Sequence, residues 1–152
     1  MDDVMAANVL VRQGDRLGGR NRFEATWSRV QGKSPIHECL VAHHMADAQD
    51  DPAEELAWDL RALEAVQRCS DDDVRRHTPA QSLAVFMPSI HLSLAFDYLK
   101  LRNIAASREH LALARGFEWA LPDDDYGKMI RDGMANLAQR FDQLSTKTKS
   151  IR

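Results

Sequence analysis

The sequence predicts an all-α protein of antiparallel helix pairs, and three features of its 152 residues predict it. Glycine and proline are scarce, at seven and five, while Ala, Leu, Arg and Asp dominate, and unbranched side chains lose little rotamer freedom in a helix. Apolar residues recur at spacings of three and four along most of the chain, and no alternating strand pattern of useful length occurs. The breaks between these stretches are helix punctuation, such as Gly-Gly, Ser-Pro and Asp-Pro.

Asp2 or Asp3 caps a first helix running to about Leu17, which Gly18-Gly19 breaks. A second helix, roughly Asn21 to Val30, carries Phe23, Trp27 and Val30 on one face. Gly32-Lys33-Ser34-Pro35 closes this pair, with Ser34 as N-cap of a third helix that reaches about Ala48. Asp50-Asp51-Pro52 turns the chain into a fourth helix ending near Arg68. Its Leu56, Leu60 and Leu63 share one stripe while Trp58, Ala62 and Ala65 lie nearly opposite, as in a helix sandwiched between neighbours.

Ser70 to Arg76 reads as a polar break, and Thr78-Pro79-Ala80-Gln81 as a capping box. Helical pattern then continues to Leu101, with Pro88 marking either a kink or a restart. Ile90, Leu92, Leu94, Ala95, Phe96, Tyr98, Leu99 and Leu101 surround this helix, so it should be the most buried segment. A further helix spans about Ile104 to Ala120. The last begins near Asp123–Asp125 and carries Met129, Ile130, Met134, Leu137, Phe141 and Leu144. One domain over 1–145 is expected, with a polar tail, 146–152, that frays.

The net charge of −3 is unevenly spread: residues 1–35 carry +2, residues 36–73 carry −9 and residues 74–152 carry +4. An acidic middle argues against a nucleic-acid partner, because such binding neutralises phosphates with Lys and Arg. No stretch approaches the ~20 apolar residues that cross a bilayer, so no membrane partner is expected. Two cysteines without a second pair fit a reducing, cytoplasmic setting. No nucleophile elbow, phosphate loop, HExxH or dinucleotide fingerprint occurs, so no catalytic residue, cofactor or metal is assigned.

His91 to Ala114 carries Leu94-Ala95-x-x-Tyr98, then Leu101-Arg102-Asn103-Ile104-Ala105-Ala106-Ser107, Leu111 and Ala114. This segment resembles a tetratricopeptide repeat (TPR), with Arg102 where the family has its turn glycine and His91 in place of the usual Trp. Residues 36–68 look like a looser copy and residues 4–31 a weaker one. The resemblance implies a short TPR-like α-solenoid of stacked helix pairs with a C-terminal capping helix, a class common among bacterial regulatory and scaffold proteins. In that family the first helix of each pair lines a groove. The matching positions are Ser89, Leu92, Phe96, Leu99 and Lys100 on the better repeat, and Cys39, His43, Ala46 and Asp47 on the looser one.

Leu92, Phe96 and Leu99 share one narrow sector. An apolar sector needs cover, either from a partner, which a second copy of the chain could be, or from the last helix through Met134, Leu137 and Phe141. Cys39, His43 and Asp47 form a polar line, suited beside the acidic segment to a basic peptide. His110 reads as a hydrogen-bonded core histidine. The expected function is therefore a non-catalytic module or scaffold that binds a peptide or protein. The alternative is a small-molecule or metal-binding helical protein, an enzyme in one version, with histidines converging on a polar pocket.

Overall fold

A computed structural model describes the backbone of residues 2–77 and 82–150, and the side chains of residues 2–76 and 82–145. Among the described residues there are eight α-helices and no strand, and adjacent helices pack in pairs, so the protein is all-α. They are α1 (Asp2–Arg12), α2 (Arg16–Val30), α3 (Pro35–Asp47), α4 (Pro52–Gln67), α5 (Asp71–His77), α6 (Met87–Lys100), α7 (Ile104–Gly116) and α8 (Asp125–Ser150). The chain divides into two compact units, Met1–Leu83 and Ala84–Arg152.

In the first unit, the reversal after α1 lies at Gly14, whose φ of +91° suits glycine, and not at Gly18-Gly19 as the sequence suggested. Asp15 then caps α2, its Oδ1 accepting from the Gly18 N–H at 2.8 Å. Gly19 sits inside α2 for a packing reason. A Cβ there would stand 2.4 Å from Val11 Cγ2 and 3.2 Å from the Ala7 carbonyl oxygen, so the glycine lets α1 and α2 close together. The Asp3–Arg29 ion pair joins the other ends of the two helices, which makes them antiparallel.

Helix α3 packs against α1, α2 and α4, and it contributes Val41 and Met45 to a core completed by Val4, Ala7, Phe23 and Ala48. Trp27 and Trp58 meet edge to face beside it, at 5.2 Å between centroids. Arg16 and Arg20 on α2 donate to the carbonyls of Asp47, Ala48 and Gln49 at the end of α3, and both pair with Asp50. Cations there satisfy carbonyls that no helical N–H reaches and suit the negative end of the helix dipole. Asp51 caps α4 through the Ala53 N–H at 2.9 Å, as the turn sequence predicts. Ser34 occupies the N-cap of α3, but its hydroxyl pairs with His37 Nδ1 at 2.8 Å instead of capping.

Helix α4 buries Ala62, Ala65 and Val66, whereas Leu60, on the opposite stripe, is exposed. The expected break at 70–76 is helical instead. Ser70 and Asp73 form a reciprocal capping box, each side chain accepting from the other's backbone N–H, and that box opens α5. The capping box expected at Thr78–Gln81 lies outside the described residues.

In the second unit Pro88 falls in the first turn of α6, so it marks a restart and not a kink. Ser89, Ile90, His91, Leu92, Leu94, Ala95 and Asp97 are all buried. Asn103 caps α7 through the Ala106 N–H. Buried Ser107 donates to the Ala95 carbonyl and so ties α7 to α6. Helix α8 runs on to Ser150, past the expected boundary at 145. It packs on both α6 and α7, and lies antiparallel to α7: Arg108 reaches Ser145 at one end and Arg131 reaches the Leu121 carbonyl at the other. None of the described helices is long and apolar enough to cross a membrane.

Two substitutions test this reading. Gly19→Ala should destabilise by about 1–3 kcal/mol, because the overpacking against Val11 outweighs the gain in helix propensity. Adding Val11→Ala should recover part of that loss in urea denaturation; a G19A protein more stable than the parent would refute the close approach. Arg102 follows α6 with φ +61°, a left-handed conformation that costs a non-glycine residue roughly 1 kcal/mol. Arg102→Gly should raise stability by about that amount, and an unchanged midpoint would show the turn to be unstrained.

Candidate functional site

Helices α7 and α8 meet along a seam that is open to solvent, because each turns a small residue to it, Ala112 and Ala138. Two concavities adjoin along this seam. One, about 630 Å³, is lined by Arg108, Leu111, Ala112, Arg115, Ala138, Phe141 and Asp142. The other, about 610 Å³, is lined by Leu99, Lys100, Arg102, Ile104, Arg108, Leu144 and Ser145. Positions 104, 108, 111 and 115 recur at spacings of three and four, which turns them to one face of α7. The same holds for 138, 141, 142 and 145 on α8.

Arg108 lines both concavities and is held there. Its guanidinium lies 4.4 Å from the centroid of the Phe141 ring and donates to Ser145 Oγ at 3.3 Å. At the base lie the buried core residues Leu111 and Phe141, with Leu99 and Ile104 half-buried and Leu144 exposed, and the rim is largely cationic.

Of the residues that the sequence placed against a partner, Leu99 and Lys100 line this groove. The others are placed differently. Leu92 is buried beneath α8 in a core with Met134, Leu137 and Phe141, and Phe96 and Leu99 pack against that core. A Cβ on Gly133 would stand 2.8 Å from Leu92 Cδ2, so α8 sits directly on the sector. The cover that the sector needed is thus the last helix, and Leu92 does not face an open groove. Ser89 is also buried, its hydroxyl donating to the Phe86 carbonyl at 3.1 Å.

On α3, Cys39 and Ala46 are buried, and desolvation, with the nearby Cys69 and Asp59, pushes the Cys39 thiol up to about 12. That is a core thiol, not a reactive one. His43 Nδ1 pairs with the buried Asp59 Oδ1 at 2.9 Å. Burial opposes charge on His43, yet the Asp59 hydrogen bond and charge, aided by Asp47, hold its pKa above the ordinary histidine value. Asp47 is exposed, so the expected polar line Cys39–His43–Asp47 is split between core and surface.

The remaining histidine pair is internal to the second unit. His91 and His110 approach Nδ1 to Nδ1 at 3.0 Å, so one neutral ring donates to the other, flanked by Phe117 and Tyr98. Burial, and then the neighbouring His110, push His91 down to about 4; burial also lowers His110. Among the described residues no group of three or more His, Cys, Asp and Glu side chains stands together to hold a metal ion. Compared with known proteins, the chain matches no family model, no curated protein and no solved structure.

The histidine pair makes a pH prediction. The unfolded chain protonates His91 near 6.5 and the folded one only near 4, so the unfolded state binds more protons between those values. Stability of this unit is therefore full above about 6.5 and falls as the pH drops toward 4, by about 3 kcal/mol for a shift of that size. Hydrogen exchange of the α6 and α7 amides should show the acid loss, and His91→Gln should flatten it. An equally steep loss in H91Q would exclude His91 as its cause.

Proposed function

We propose that this chain is a non-catalytic helical-repeat module, built like a divergent tetratricopeptide-repeat array, that binds a peptide or protein partner in a cytoplasmic setting. The observation that carries this reading is the α7/α8 seam. Its concavities lie over the core residues Leu111 and Phe141, with Leu99 and Ile104 half-buried and Leu144 exposed beside a largely cationic rim. Apolar surface rimmed by polar groups is the usual character of a protein-docking site. The alternative of a histidine-lined small-molecule or metal site has less support, since His43 is engaged by Asp59 and His91 by His110.

A photo-crosslinking residue at position 112, in the floor of the groove, should capture a discrete partner in cells of the source organism. The same residue at exposed position 53 on α4 serves as control. Equal yields at the two positions, or none at either, would count against docking on the seam.

A further inference from the structure

We propose that the occupant of the seam is an acidic amphipathic helix of another protein, laid along α7 and α8 with its carboxylates on the arginine rim. The inference rests on the docking reading and adds the chemistry of the partner. Charge complementarity argues for it. Arg102, Arg108 and Arg115, with Lys100, edge the two concavities, against the single carboxylate of Asp142. Lys100 is partly engaged, standing 3.9 Å from Asp97, which leaves the guanidiniums as the main contributors. A guanidinium pairs with a carboxylate through two parallel hydrogen bonds, so an acidic side chain is its natural complement.

Shape argues for a helix. A seam between two antiparallel helices, with Leu144 exposed and Leu99 and Ile104 half-buried over the core residues Leu111 and Phe141, offers a groove along which a third helix can set its apolar stripe. Arg108 and Arg115 lie seven residues apart on one face of α7, roughly 10.5 Å along its axis at 1.5 Å per residue. A bound helix with acidic residues at i and i+7 repeats that spacing and brings both carboxylates to the rim. The apolar floor and Asp142 disfavour a nucleic-acid strand, which needs a continuous line of cations along its phosphates.

The test uses the full chain and a labelled synthetic helix of about fifteen residues, roughly four turns. The helix carries leucines at i, i+3 and i+7 with two glutamates seven residues apart on the flanking face, at i+1 and i+8, and its binding is read by fluorescence anisotropy. Companion probes replace both glutamates by glutamine, or are a single-stranded oligonucleotide of similar length. The acidic helix should bind and weaken with salt, as partly exposed ion pairs do. Arg115→Gln with Arg102→Gly should weaken it about tenfold, a few-fold for each exposed pair. The glutamine helix should lose little on that variant, because the pairs it could lose are already absent. Circular dichroism and the melting midpoint check that the variants remain folded.

If the glutamine helix binds as well as the acidic one, and Ala112→Trp blocks both, the acidic preference is wrong while docking on the seam stands. Binding of neither helix overturns both readings. Tighter binding of the oligonucleotide, lost in the arginine variant, overturns the proposal in favour of nucleic acid.

Discussion

A helix with apolar residues round most of its circumference has to be covered on several sides, and α6 is such a helix. Helix α7 covers one side, with Ser107 thin enough to bring the two backbones together. Helix α8 covers another, with Gly133 admitting Leu92. Everything else in the second unit follows from that demand. The last helix must lie on both members of the pair, so it leaves a seam with α7. Leu111 and Phe141 serve both, closing the core over α6 and forming the base of that seam.

The first unit solves a different problem, because its central helix carries charge into the interior. Glu38 on α3 is buried, and it accepts from the Gly32 N–H and from Arg68 at the C-cap of α4. Asp59 on α4 is buried against His43 on α3. The two pairings run in opposite order along the helices, which fixes α3 and α4 antiparallel and in one register. A buried carboxylate without its partner is strongly unfavourable, so these residues are tied to the fold. His43 therefore has a structural duty that its place on a polar stripe conceals.

Much of the architecture was legible in the sequence. The helical class, the Asp51-Pro52 start of α4 and the dense burial of α6 all follow from periodicity and punctuation. The glycines were misleading because composition does not separate a glycine that turns the chain from one that admits a neighbour. Gly14 does the first and Gly19 the second. The 70–77 helix was hidden because Ser70 and Asp73 close a capping box whose acid is Asp, not Glu or Gln. The site was less legible. Family positions pointed to the first helix of each pair, and there Leu92 and Cys39 are core. Arg108 and Arg115 stand at i, i+7 beside Leu111, a stripe that the sequence analysis did not single out. Which stripe stays open, however, depends on where α8 lies, and no local pattern encodes that.

The seam also differs from the covered sector in the kind of residue that shapes it. At Leu92 the last helix gives way with a glycine, since a Cβ on Gly133 would stand 2.8 Å from Leu92 Cδ2. Along the seam the small residues Ala112 and Ala138 line the concavity on both helices. A fully apolar gap of that size would be an invitation to aggregate. Here Arg108 lies over Phe141, shielding the ring while presenting a cation to whatever enters. Arg102 holds a strained turn that glycine would relax, at the edge of the same groove.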